Sequence, residues 1–399
     1  MTAKNVLFIS GSLGLGHIGR DLEIARALRK ECSNIAISWI ADDPATQVLQ
    51  DAGEILLPES VKMNHGNQTL DEAATDYNVN LTQWVMKMRS TWSKNTEFYA
   101  QLFTDHHFDL VIGDETYDLQ IGMGENPQLK QFPFVVLYDF LGLDTVTLNP
   151  IDHLATYMTN RLWVKSLTQQ PPLADLFLFI GEKEDVPNRS FGFLLPNRRE
   201  IAEKYLDFVG YILSFNPREH LDPLKARESL GYSAKHLIIC SIGGTAGGKP
   251  LLNLCAEAYP LIQNTYPDLH MVLVCGPRLS PDSITVPSEV EVRGYVPELY
   301  KHLAASDLSI VTGGGTITLE LTALQRPFIY FPLEKHFEQE IDVVHRCKRH
   351  NAGVRMKYST TTPQQLADEV VANLEKPVAY TPTATDGALK AAQLICKLL

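Results

Sequence analysis

Twice along the chain, short apolar runs alternate with stretches of helical spacing, and several of the runs end in glycine. In the first half the runs are NVLFIS, NIAISWIADD, FDLVIGDE, FPFVVLYD and LFLFIG. In the second they are HLIICSIGG, LHMVLVCG, VEVRGY, DLSIVTGG and PFIYFP. A strand that is apolar on every residue must be covered on both faces, which is the arrangement of a parallel sheet wound with helices. After the first run, Ile18, Leu22, Ala25 and Leu28 recur one helical turn apart. The alternation breaks around 196–222 and then restarts. A length of 399 residues favours two cores over one. The expected fold is α/β, with two doubly wound Rossmann-like domains facing across a cleft. The N-terminal domain is expected over 1–208 and the C-terminal domain over 209–378. A final helix is expected over 379–399, with Asp386 near its start. The stretch from Met63 to Phe103 is polar and helix-permissive, carries Trp84 and Trp92, and reads as an insertion.

Charge and cysteine content exclude other classes. A net charge of −12 argues against a nucleic-acid groove, which needs a basic face. The six cysteines include no C-x-x-C, and four lie in or beside apolar runs, as reduced core thiols of a cytosolic protein do. No apolar run is long enough for a transmembrane segment, and MTAKNVLF enters a strand without a signal segment. The expected location is the cytoplasm, with contact at a membrane surface left open.

Three loops follow strand-like runs: GSLGLGH at 11–17, SIGGTAGG at 241–248 and TGGGTITLE at 312–320. Glycines after a strand let the backbone approach a bulky anion. The next helix then aims free N–H groups and its positive dipole end at that anion. Two such loops in one half predict a diphosphate site. With a helix starting near Thr316, Glu320 lies one turn in, where a carboxylate can accept from the vicinal hydroxyls of a ribose. Gln339 and Glu340 fall at the start of a further helix after the run FIYFP. Gln339 there offers two donors and an acceptor to sugar hydroxyls, whereas Glu340 also suits the helix dipole. The first loop fits G-x-G-x-x-G through Gly14, Gly16 and Gly19, with Asp42 and Asp43 ending the next run. That dinucleotide reading leaves the loops of the second half unexplained.

These stretches, with GYVPELYKHLAASDLSIVTGGGTITLELTALQRPFIYFPLEKHFEQE, resemble the GT-B nucleotide-sugar glycosyltransferases. Among these they resemble the bacterial N-acetylglucosaminyltransferase of the peptidoglycan lipid precursor. The likeness is best over 237–355 and thinner over 1–30. It implies a UDP- or dTDP-sugar donor, an acceptor it does not identify, and no further cofactor. It also implies that Gly244 and Thr245 meet the diphosphate and that Val296 offers backbone atoms to the base. Gly314, Gly315 and Thr316 would hold phosphate, Glu320 the ribose and Gln339 the donor sugar. His17 matches the family's histidine near the acceptor, and the last helix would cross back to the N-terminal domain. The first loop has fewer glycines before its histidine than that family, and its glycine-rich acceptor loop has no counterpart near IGDETYDLQIG. The run GLGHIGRDLEIA is also similar to the nucleotide-sugar hydrolase of pseudaminic acid synthesis, in which water is the acceptor.

A histidine at a helix start feels the positive dipole end, which favours a neutral ring able to take a proton. His17 is therefore the candidate general base for an in-line, inverting transfer, with loop N–H groups stabilising the leaving nucleoside diphosphate. No metal ligands are expected. Asp114 and Glu115 after one strand, and Tyr138 and Asp139 after the next, are the acceptor candidates.

Overall fold

The computed structural model describes residues 3–10, 15–63, 74–75, 78–79, 81–244 and 246–399. Gly14 of the first loop and Thr245 of the second lie outside the described residues. Contacts divide the chain into two compact units. The first comprises Met1–Leu70, Leu81–Ser214 and Ala384–Leu399, and the second Asp71–Asn80 and Phe215–Thr383.

The first unit is a parallel sheet of seven strands: β1 (Lys4–Ile9), β2 (Ile35–Ile40), β3 (Ile55–Leu56), β4 (Leu110–Asp114), β5 (Phe134–Tyr138), β6 (Leu176–Phe179) and β7 (Asp207–Phe208). Their order is β3-β2-β1-β4-β5-β6-β7. The order reverses between β1 and β4, and ligands of open α/β sheets bind beyond the carboxyl ends of strands at such a point. The helices are α1 (Leu15–Glu31), α2 (Ala45–Asp51), α3 (Leu81–Asp105), α4 (Tyr117–Glu125), α5 (Pro150–Thr168) and α6 (Arg198–Tyr205). Every residue of β4 and β5 is buried, in keeping with their continuous apolar runs. Ile18, Leu22, Ala25 and Leu28 of α1 pack into the same core as Val6, Phe8 and Trp39.

The second unit repeats the design in a six-stranded parallel sheet. Its elements are α7 (Pro223–Leu230), β8 (His236–Ser241), α8 (Lys249–Gln263), β9 (Leu269–Val274), β10 (Glu291–Arg293), α9 (Leu299–Ala305), β11 (Leu308–Thr312), α10 (Gly315–Ala323), β12 (Phe328–Phe331), α11 (Val344–Arg349), β13 (Val354–Arg355) and α12 (Pro363–Asn373). The order is β10-β9-β8-β11-β12-β13, with the reversal between β8 and β11. The two glycine loops of this half therefore leave the strands on either side of its reversal point.

Three expectations are corrected. The first unit extends past 208, because Val209 N–H donates to the Phe179 carbonyl and Gly210 N–H to that of Gly181, carrying the sheet edge onward. The stretch read as a polar insertion is core from Asn95 on. Tyr99 and Leu102 of α3 are buried, and Asn95 donates to the buried Asp118 of α4 at 2.8 Å. Cys32 and Cys396, not paired by the sequence reading, form a disulfide with Cα atoms 5.9 Å apart. Cys240, Cys255, Cys275 and Cys347 are free and buried.

The last helix, α13 (Gly387–Ile395), packs along α1 in the first unit and adds Ala391, Ala392 and Ile395 to its core. Asp386 stands at its N-cap but makes no capping hydrogen bond with its side chain. A Cβ at Gly387 would lie 2.7 Å from the Tyr211 carbonyl oxygen, so only glycine lets the helix start against that backbone.

Gly276 is the tightest glycine near the 241–248 loop. Its φ is +74°, and a Cβ there would lie 2.2 Å from the carbonyl oxygen of Gly243. Gly276→Ala is expected to destabilise the second unit by about 2–4 kcal/mol, combining a positive-φ penalty with overlap against backbone. Urea unfolding, followed by a probe in that unit, measures this.

Candidate active site

In the first unit, three elements converge at the carboxyl end of the sheet. α1 follows β1 and carries His17 in its first turn. Asp114 ends β4, Glu115 follows it, and Asp139 stands one residue past β5. β4 lies between β1 and β5, so the reversal in strand order brings these side chains together although they come from distant stretches of sequence.

The histidine and two carboxylates are tied by one guanidinium. Arg20 donates through Nη1 to Asp139 Oδ2 at 2.6 Å and through Nη2 to Asp114 Oδ1 at 2.6 Å. His17 Nδ1 stands 2.7 Å from Asp114 Oδ2 and also 2.7 Å from Arg20 Nη2. Burial works against ionising Asp114, but Arg20 and the His17 ring outweigh it and hold the carboxyl below its usual range. Asp114 accepts when ionised and Arg20 only donates, so the two contacts ask opposite roles of Nδ1, and the proton sits there where the Asp114 contact prevails. Nε2 then carries the lone pair. The His17 side chain is 14% exposed and Asp114 is fully buried.

The remaining carboxyls divide by environment. Asp139 is held low: burial opposes ionisation, and Arg20, the His17 ring and a hydrogen bond from Glu115 prevail. Glu115 is pushed well up by burial and by the neighbouring charges of Asp139 and Asp114. It sits at φ +52°, a backbone conformation uncommon for a residue with a side chain. Asp21, fully buried, is also pushed well up by burial and by Asp114, while Ser10 Oγ donates to its Oδ2 at 2.6 Å. Two carboxyls are thus pushed up and two held low around Arg20.

Tyr138 is corrected. It is fully buried, and its hydroxyl donates to Gln120 at 2.5 Å, so it belongs to the core and not to an acceptor surface. One ligand atom each from His17, Glu115 and Asp139 lie within 4.8 Å of one another, a set that could hold a cation. Arg20 and Asp21 are the residues the sequence reading missed. The signal was a charged pair one turn after His17, on a helix whose apolar stripe ran beside it.

In the second unit, β11 runs through Gly313 and Gly314 into α10, whose N-cap is Gly314 and whose start has no side-chain cap. Its first N–H groups, from Gly315 and Thr316, are left for another acceptor. Gly244 lies in the loop after β8, at the neighbouring strand end. Val296 follows β10 and packs partly against the unit's core. Glu320 stands four residues after Thr316 on the same face of α10. It keeps part of its surface open to solvent, yet burial pushes its carboxyl up to about 8.

Gln339 and Glu340 lie not in an ordinary first turn but in a π-helical turn, Glu338–Val343, that runs into α11. Gln339 is buried, and its Oε1 accepts from Leu333 N–H at 2.9 Å. The acceptor expected to face a sugar is therefore committed to backbone, and the amide N–H₂ is what remains. Glu340 is raised by burial. His336, one turn earlier, has its ring pushed down to about 4 by burial and is neutral at pH 7; nothing in the sequence singled it out.

Residues 238–399 match the family described as glycosyltransferase family 28 C-terminal domain. An uncharacterized glycosyltransferase of Methanosarcina acetivorans is 34% identical over 95 residues, 24% of each chain. UDP-N-acetylglucosamine--N-acetylmuramyl-(pentapeptide) pyrophosphoryl-undecaprenol N-acetylglucosamine transferase 2 of Bacillus anthracis is 32% identical over 141 residues, 34% of this chain and 39% of its own. The matches thus span a quarter to two fifths of these curated relatives' length. Among solved structures, the glycotransferase of kitacinnamycin superposes with a TM-score of 0.60 at 15% identity, over 100% of this chain and 95% of that one. Spinosyn rhamnosyltransferase SpnG complexed with thymidine diphosphate gives 0.56 at 17%, over 99% and 95%. The chain has the GT-B glycosyltransferase fold. Within that class it resembles the peptidoglycan N-acetylglucosaminyltransferase family, and residues 238–399 match the family 28 C-terminal domain.

Removing Arg20 strands the buried Asp114 carboxylate and the partly buried one of Asp139. Arg20→Met is expected to destabilise the first unit by about 3–5 kcal/mol. Asp21→Asn should be near neutral at low pH, where Asp21 is protonated both folded and unfolded, and more stable than the parent towards neutral pH. With Asp21 raised in the folded state, stability falls as pH rises from the unfolded carboxyl value towards the folded one. Asp21→Asn should flatten that slope, read by denaturation at a series of pH values.

Proposed function

We propose that the chain transfers a sugar from a UDP- or dTDP-sugar to an acceptor hydroxyl, with inversion at the anomeric carbon. The observation that carries the chemistry is the 2.7 Å contact of His17 Nδ1 with the ionised Asp114. It leaves Nε2 bare to take the acceptor's proton, and Asp114 stabilises the imidazolium that forms. Arg20 fixes Asp114 and is a positioning residue. Asp139, 26% exposed, is the carboxylate in this cluster most open to an acceptor hydroxyl, with Glu115 beside it.

The donor half of the proposal rests on the second unit and its family. The open start of α10 at Gly314, Gly315 and Thr316, with Gly244 on the neighbouring loop, suits a diphosphate. Thr245 is proposed beside it on the family's pattern. Glu320 would take the ribose, Val296 the base edge, and the Gln339 amide with Glu340 the donor sugar. The SpnG complex with thymidine diphosphate supports a nucleoside diphosphate as the bound group. No step is routed through a metal ion, so turnover should persist in EDTA.

His17→Ala is expected to lower kcat by about 10² to 10⁴ while nucleoside diphosphate affinity stays within about twofold. Equal loss of both would sink the base assignment. Rapid release of nucleoside diphosphate from the donor alone, without acceptor, would instead make the protein a hydrolase. Glu320 offers a pH test. Its raised pKa leaves it protonated at pH 7, and a carboxylate accepting from ribose is favoured above about 8. Binding of UDP or dTDP, followed by calorimetry, should tighten between about pH 7 and 9. That dependence should vanish in Glu320→Gln.

A further inference from the structure

Two carboxyls at the ligand edge of the first unit face each other. Glu115 follows β4, Asp139 follows β5, and their side chains meet. Asp139 Oδ2 takes its bond from Arg20 at 2.6 Å. Among the described residues, its buried Oδ1 meets no N–H or O–H donor beyond the neighbouring carboxyl. The same holds for the buried Oε1 of Glu115, whose side chain is 6% exposed. Two carboxylates this close repel unless a positive centre lies between them. A proton is one such centre and a metal ion is another.

His17 supplies a third group. Its Nε2 stands 4.0 Å from Glu115 Oε2, and one ligand atom from each of the three residues lies within 4.8 Å of the others. Nδ1, on the far side of the ring, is 2.7 Å from Asp114 Oδ2. A ligating imidazole is ordinarily held this way, by a carboxylate behind the ring that fixes its orientation and raises its basicity. An ion on Nε2 would place the ring proton on Nδ1, towards Asp114, and Arg20 Nη2 would keep its bond to Asp114 Oδ1. Ligands of tetrahedral zinc, about 2.0–2.2 Å from the ion, stand roughly 3.3 Å apart, so shifts of roughly 1 Å at the side-chain tips complete the set.

Charge and ligand type select the ion. Asp21, Asp114, Glu115 and Asp139 surround the single guanidinium of Arg20, an excess of acid that a dication offsets. One imidazole and two carboxylates with a fourth position open suit zinc, whereas magnesium and calcium take oxygen ligands. We propose that His17 Nε2, Glu115 and Asp139 bind a zinc ion. The ion takes the place of a proton between the two carboxyls, and that proton leaves to solvent. It also occupies the lone pair that the proposed reaction gives to the acceptor's proton, so bound zinc holds turnover off. Only this inhibition rests on that reaction; the site does not.

The test is competition for zinc between the full chain and a chromophoric chelator near neutral pH. The parent is expected to take up a single zinc ion. Glu115→Gln, Asp139→Asn and His17→Ala should each weaken uptake about tenfold or more, and Asp114→Asn about 10- to 100-fold by freeing the ring. His106→Ala, which removes a histidine paired with Glu59 elsewhere in the unit, should bind like the parent. Cobalt in place of zinc should give the visible absorption of a nitrogen and oxygen site, without the thiolate band that Cys240, Cys255, Cys275 or Cys347 would add. Zinc should raise the unfolding temperature of the parent and not of Glu115→Gln. Circular dichroism without zinc checks that each variant folds. Absence of saturable zinc binding by the parent, or equal affinity in the parent and Glu115→Gln, would overturn the proposal. Zinc should also lower turnover, with EDTA restoring it. Zinc bound in this site with turnover unchanged would keep the site and discard His17 as the base.

Discussion

One buried cation organises the first unit's ligand edge. Arg20 comes from α1 and bonds carboxylates at the ends of β4 and β5, so a single side chain links the elements on either side of the reversal in strand order. A guanidinium suits this place because its planar fork serves two acceptors at once and stays charged when buried. It is outnumbered: Asp21, Asp114, Glu115 and Asp139 all lie near it. The excess is divided: Asp114 and Asp139 are held low, whereas Asp21 and Glu115 are pushed well up.

The second unit shows a different logic. It meets its proposed ligand with backbone, through the uncapped start of α10 and the glycine turn after β8. A side chain at Gly276 would strike the Gly243 carbonyl, and one at Gly313 would lie 2.7 Å from Pro332 Cα. Glycine there is a packing requirement as much as a ligand requirement. The first unit arranges its candidate site by charge, whereas the second shapes its proposed site with backbone, and each lies at the same topological position of the same sheet design.

Much of this was legible in the residues. The long apolar runs named every strand of four residues or more, because burial on both faces leaves a run without polar interruption. The short edges Ile55–Leu56, Asp207–Phe208 and Val354–Arg355 were not legible, since two paired residues leave no pattern. His17, Asp114, Glu115 and Asp139 were each visible at a strand end or loop. Their assembly was not, because it runs through Arg20, a charged residue inside a helix that periodicity assigns to solvent. Tyr138 misled for the opposite reason: an aromatic hydroxyl at a strand end resembles a ligand group until its partner Gln120 is seen. Gln339 misled similarly, since a backbone N–H six residues away claims its oxygen.

The return of α13 to the first unit has a consequence for biosynthesis. Ala391, Ala392 and Ile395 fill the core that also holds Val6 and Ile24. Ribosomes deliver those residues only after all of Phe215–Thr383 has been made. The second unit is nearly continuous in sequence and can close on itself while the first still exposes the groove along α1. The half translated first is therefore completed last, and until then it presents an apolar seam to chaperones in the cell.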